Sequence, residues 1–256
     1  MNEAILDAVP AQTPEKPIRP FPGIWTSILW VVLFFAINFT VSVVALIVAA
    51  ITHSPSAADV ASFLQLVSDI KFIAIPTIWG LFTSSVLTLG ALWLLLRKKE
   101  RYAALQLDRW SQIGIGKTLI YAVLIVGAGM IFGELYSRYI IPDIKIQEQM
   151  RQIFNALPKT PLYAAVLFLS ATILAPVLEE IIFRGFLQTS ITRLAGPLSG
   201  ILIAAAVFAA MHFDFYAFPV LFALGAGFGW LYQLTGSLRV NIILHILNNL
   251  AAILFT

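Results

Sequence analysis

The sequence predicts an all-α integral membrane protein with about seven to eight transmembrane helices and a polar site buried in the bundle. Three observations carry that reading. Of 256 residues, 60% are hydrophobic and only 11% charged, with a mean hydropathy of +0.91, far from the usage of soluble domains. The apolar residues form long continuous runs, whereas barrel strands would alternate in short segments separated by turns. Inside the later candidate spans sit a few ionisable residues, which are costly at membrane depth and therefore point to a function.

The elements follow in chain order. Residues 1–22 hold five prolines, Pro10, Pro14, Pro17, Pro20 and Pro22, among several charges. Such a composition cannot bury enough surface to fold alone, and a flexible tail is expected. Residues 23–256 read as one multi-span membrane domain. The next run is longer than a signal-peptide core and lacks a preceding positive cluster, so no cleaved signal is expected.

Stretches free of Asp, Glu, Lys and Arg run from Pro20 to Ala58, Phe72 to Leu96, Thr118 to Gly133, Thr160 to Leu178, Leu194 to Phe213, Phe215 to Leu238, and Val240 to Thr256. A helix needs roughly 20 residues to cross the hydrocarbon core, and most of these runs approach or exceed that. The run at Thr118 can extend past Glu134, and the first is long enough to contain an extra interfacial segment. A short amphipathic helix is expected at the surface from Ile146 to Leu157.

Charge sets orientation. The basic segment "RKKERYAALQLDR", Arg97 to Arg109, reads as cytoplasmic by the positive-inside rule, which puts the amino terminus inside as well. The net charge of +3 comes without a basic stripe interleaved with aromatics, so no nucleic-acid partner is expected. There is no cysteine, which excludes disulfides, thiolate metal sites and cysteine nucleophiles. In "GAGFGW" (225–230) the glycines read as close helix packing rather than a nucleotide loop.

The polar groups at depth are Glu179, Glu180 and Arg184 in the fourth span, which continues past its uncharged run, His212 in the fifth, and His245 with Asn249 in the seventh. Glu180 and Arg184 are one helical turn apart and can pair, while Glu179 is rotated by about 100° onto a neighbouring face. The fourth and fifth runs must be antiparallel across the turn near Gly196. Counting from it at about 1.5 Å per residue places Glu179 and His212 close to level, so that they can meet. His245 and Asn249 share a face at similar depth. Pro176, three residues before Glu179, removes a helical hydrogen bond and is expected to bend the helix or admit water.

A glutamate beside a histidine can polarise a water molecule as general base, and a second histidine with a carboxamide can stabilise an oxyanion. Together these serve water attack on a peptide bond. No serine or cysteine nucleophile motif and no aspartate pair is present in the runs. Glu179, His212 and His245 could alternatively ligate zinc, although the compact H-E-x-x-H arrangement is absent. A proton-coupled transporter and a non-catalytic regulator or scaffold are the other classes this polar cluster fits.

The ordered set E-E-x-x-x-R (Glu179, Glu180, Arg184), F-x-x-x-H (Phe208, His212) and H-x-x-x-N (His245, Asn249) resembles the CAAX protease and bacteriocin-processing family, the type II CAAX prenyl endopeptidase-like proteins. The resemblance covers about 162–256. It implies an intramembrane glutamate protease in which Glu179 and His212 activate water, His245 and Asn249 form the oxyanion site, and Glu180, Arg184 and Phe208 support them. No cofactor is expected, with zinc as the alternative. The expected partners are a membrane-associated peptide or protein substrate and the bilayer, and the expected location is the plasma membrane of a prokaryote, as a multi-pass protein. Substrate, cleavage position and oligomeric state are not legible in the sequence.

Overall fold

The computed structural model describes residues 21–53, 60–142 and 148–255. They are helical, with no strand among them. Lipid explains the choice: without water to bond exposed N–H and C=O groups, a single segment satisfies them only by coiling on itself. The helices are α1 (Ile24–His53), α2 (Val60–Val67), α3 (Ile70–Leu96), α4 (Lys99–Ala104), α5 (Ile115–Tyr139) and α6 (Glu148–Ala156). They continue as α7 (Pro161–Ala195), α8 (Pro197–Ala210), α9 (Phe218–Thr235) and α10 (Leu238–Phe255).

Helices α1, α3, α5, α7 and α9 are long and apolar enough to cross a membrane. With the shorter apolar helices α8 and α10 they account for the seven runs of the sequence. The expected tail lies outside the described residues except for Phe21 and Pro22. There the Arg193 guanidinium donates to both backbone carbonyls, at 2.9 and 3.3 Å, and the Phe21 ring packs edge-on against Phe186.

Two runs differ from their charge-defined limits. The fourth does not stop at Leu178: α7 continues through both glutamates and Arg184 to Ala195, because those charges are neutralised within the bundle. The fifth ends early. Helix α8 stops at Ala210, so His212 lies in the turn beyond it, where Phe213 takes a positive φ of 52°. Asp214 Oδ1 accepts from the N–H groups of Tyr216 and Ala217, which starts the next helix and cuts α8 short. The expected amphipathic helix is α6, with residues 146 and 147 outside the described set. It does not only lie on the surface, since Ile153 and Leu157 are buried against Ala74, Ile78 and Val166.

Helix α1 packs along α3, where Ser84 Oγ donates to Asn38 Oδ1 at 2.8 Å. Helix α7 lies against both, its Leu178, Ile181, Ile182 and Phe186 sharing a core with Trp30, Leu92 and Leu96. Helices α7 and α9 run parallel with α8 between them. Their register shows in three hydrogen bonds of constant offset: Arg184 to the Gly225 carbonyl, Gln188 to the Gly229 carbonyl, and Gln233 to Thr192 Oγ1, each pair 41 residues apart. The approach depends on glycine, because a Cβ on Gly229 would lie 2.7 Å from Gln188 Oε1 and one on Gly225 3.1 Å from Phe208 Cδ1. Helix α5 packs outside α9, with Tyr121 edge-on to Trp230, and leaves Ile115, Leu119, Ile120, Val123 and Leu124 exposed, as a lipid-facing surface requires.

Candidate active site

Helix α7 is not α-helical throughout. It carries two π-helical stretches, Phe168–Leu174 and Glu180–Gln188, on either side of the short α-helical segment Ala175–Glu179. Such i→i−5 stretches are rare and concentrate at functional sites. The second begins at the paired glutamates. Its wider turn keeps Glu180, Arg184 and Gln188 on nearly one face, and all three are buried.

Glu180 is wholly buried and has three partners. Arg184 Nη1 lies 3.0 Å from its Oε1, off the hydrogen-bond line, so that pairing is coulombic. His245 Nδ1 lies 2.9 Å from the same oxygen, and Asn241 Nδ2 donates to Oε2 at 3.3 Å. Arg184 also donates to the Gly225 carbonyl, and its guanidinium sits over the Phe208 and Phe228 rings at 4.7 and 5.8 Å. A buried charge survives only when paired and hydrogen-bonded, and this set supplies both conditions.

Glu179 stands apart. Its side chain is 16% exposed, against 0% for Glu180, and its Oε2 lies 3.6 Å from His245 Nε2. His245 is thus held between the two acids. The carboxylate of Glu180 accepts from Nδ1, which fixes the ring's tautomer and turns Nε2 towards Glu179. With Nδ1 donating to Glu180, a direct bond from Nε2 to Glu179 would require a second proton on the ring.

His212 makes no ion pair or hydrogen bond with either glutamate. Its Nδ1 lies 2.8 Å from the Phe208 carbonyl, and its ring packs edge-on to Phe208 at 4.8 Å. Phe208 joins the parts: its ring is 4.8 Å from His212, 6.1 Å from His245 and under Arg184. Asn249 lies one turn beyond His245 and donates from Nδ2 to the Ala171 carbonyl at 3.0 Å. The neighbouring Asn248 Nδ2 approaches its Oδ1 at 3.4 Å.

Two members of the network escaped the sequence reading. Asn241 is buried, bonded to Glu180 and also donating to the Phe228 carbonyl at 2.7 Å. Gln188 extends the Glu180–Arg184 face towards α9. Periodicity held the signal for both, since Asn241, His245 and Asn249 repeat every four residues, as do Glu180, Arg184 and Gln188. Among the described residues, no group of three or more His, Cys, Asp or Glu is placed to hold a metal ion.

Residues 161–251, which contain every residue of this network, match the family described as Type II CAAX prenyl endopeptidase Rce1-like. Over this segment the chain is similar to the Rce1-like CAAX endopeptidases. The matched segment begins with α7 and ends within α10, so the helices that build the site are those the match covers. The chain is also similar to the membrane-embedded CAAX protease MroQ of Staphylococcus aureus (strain USA300), 26% identical over 152 residues. That alignment spans 57% of this chain and 57% of the relative. No solved structure matches the chain.

Proposed function

We propose that the protein is an intramembrane endopeptidase that hydrolyses peptide bonds with water activated at Glu179. One observation carries the reading: of the two adjacent acids, Glu180 is sealed and fully engaged, while Glu179 is partly open and faces an imidazole whose orientation Glu180 fixes. A buried, fixed acid and a reachable one divide the work as support and chemistry.

In this mechanism a water bound at Glu179 attacks the scissile carbonyl, and its proton passes to the carboxylate. The departing amine takes a proton back from the same region. His212, across the Phe208 ring, is the second imidazole of the pocket and shares in activating the water. His245 bears a donor at Nε2 when protonated and lies where it can stabilise the oxyanion. Asn249, one turn beyond His245, bonds to the Ala171 carbonyl and belongs to the same end of the pocket. Glu180, Arg184 and Phe208 hold these groups in place. The similarity to a CAAX protease supports the reaction class. The substrate is a peptide or protein reaching the site from the membrane, and no metal takes part.

The test is cleavage of a labelled peptide library by the purified protein in detergent. Glu179→Gln should fold as the parent does and lose cleavage, a loss of about 10²–10⁴-fold being typical for a general base. Undiminished cleavage by that variant would refute the assignment.

A further inference from the structure

Pro176 leaves a gap in the hydrogen-bond ladder of α7, and the structure shows what meets it. In the π-helical stretch that ends at Leu174, the Ala175 N–H bonds to the Ser170 carbonyl, five residues back. In the same register the next N–H would reach the Ala171 carbonyl. That next residue is Pro176, which has no N–H. The Ala171 carbonyl instead accepts from Asn249 Nδ2 at 3.0 Å, across from α10. In a membrane-embedded helix a carbonyl left without a donor has no water to turn to, so a side chain from a neighbouring helix is the available remedy.

The position of this bond matters. It joins α7 to α10 within the first π-helical stretch, eight residues before Glu179. On α10 the same face carries His245, one turn earlier, which is held by Glu179 and Glu180. The two helices are thereby pinned on both sides of Pro176. Release of the Ala171 end would let the turn carrying Glu179 swing about the proline, where one bond of the backbone ladder is missing.

We propose that Asn249 is a positioning residue: its carboxamide replaces the backbone hydrogen bond that Pro176 cannot make and so fixes the glutamate-bearing turn of α7 against His245. The physical content is a dependence of Asn249 on Pro176. Only its consequence for turnover rests on the protease reading.

A double-mutant cycle tests the dependence without any substrate. Asn249→Ala, Pro176→Ala and the double variant are purified in detergent and their thermal unfolding compared. With Pro176 in place, Asn249→Ala is expected to lower the midpoint by roughly 2–4 °C, as the loss of one buried hydrogen bond does in a protein of this size. With Pro176→Ala, which restores an N–H for Ala171, the same substitution should shift it by less than half as much. Pro176→Leu serves the same purpose if Pro176→Ala does not fold, since any residue other than proline carries the donor. Equal shifts in both backgrounds overturn the inference.

Turnover separates positioning from direct contact with the reacting atoms. Asn249→Ala should lower kcat with KM little changed, and Pro176→Ala should recover at least part of that loss. A kcat loss that Pro176→Ala leaves untouched overturns the positioning role in catalysis. Should Glu179→Gln leave cleavage intact, the protease assignment falls while the unfolding cycle still decides the Pro176–Asn249 dependence.

Discussion

His245 Nδ1 lies 2.9 Å from Glu180 Oε1 while its Nε2 lies 3.6 Å from Glu179 Oε2, so a single imidazole is gripped by two adjacent carboxylates of another helix. Adjacent residues on an α-helix point about 100° apart, and both acids can reach one ring only because it sits in the angle between them. Their environments then separate them. Glu180 also pairs with Arg184 in the dry interior; Glu179 keeps an open side.

Removal of either acid should therefore have different consequences. Glu180→Gln leaves Arg184 buried without a counter-charge, and breaking such a pair costs about 3–5 kcal/mol. Lower yield and a lower unfolding midpoint in detergent are expected. The joint replacement Glu180→Gln with Arg184→Met should recover part of that loss, because the orphaned charge leaves with its partner. Glu179→Gln should fold normally and fail only in cleavage. Comparable destabilisation by Glu179→Gln and Glu180→Gln would contradict this division.

Asn241 gives a sharper electrostatic test. Its Nδ2 donates to Glu180 Oε2 and to the Phe228 carbonyl. Asn241→Leu removes both bonds while keeping the volume, at a cost of about 1–3 kcal/mol. Asn241→Asp keeps the shape but sets a second acceptor against Glu180, and should be the more damaging of the two. Thermal unfolding of both variants in one detergent ranks them; the opposite order would show that Asn241 does not serve Glu180 as a donor.

Packing distances predict opposite signs for two glycine substitutions. A Cβ on Gly200 would collide with Thr192 Oγ1 and approach the Gln188 carbonyl to 2.9 Å. Backbone cannot yield as a flexible side chain can, and Gly200→Ala should cost about 1–3 kcal/mol through overpacking. Gly127, within α5, has nothing within 4 Å of its Cβ position. Gly127→Ala should gain roughly 0.5–1 kcal/mol from helix propensity. Unfolding midpoints of the two variants, one below and one above the parent, are the expected outcome.

Metal dependence is checked directly. Exhaustive treatment with a strong chelator, followed by dialysis, should leave peptide cleavage unchanged, and added zinc should not raise it. Loss of activity on chelation with recovery on zinc would replace the glutamate–water mechanism with metal-assisted hydrolysis.

What the sequence by itself determined was the class and the cast. Uninterrupted apolar runs specify membrane helices because lipid forces each backbone to satisfy itself, and this holds whatever the neighbours are. The four-residue spacings of Glu180 with Arg184 and of His245 with Asn249 placed each pair on one face, since helical periodicity is local. Tertiary structure decided who meets whom. Counting residues from a turn placed Glu179 level with His212, but level residues touch only if their faces turn towards each other, and Glu179 faces His245. The end of α8 before His212 was set by Asp214 starting the next helix, and the spacing of residues along α7 did not announce its two π-helical stretches. Nothing local to Asn249 says that its partner is a carbonyl left open by a proline 73 positions earlier. That relation exists only once α7 and α10 lie side by side, where an unmet hydrogen bond on one helix is met by a side chain from another.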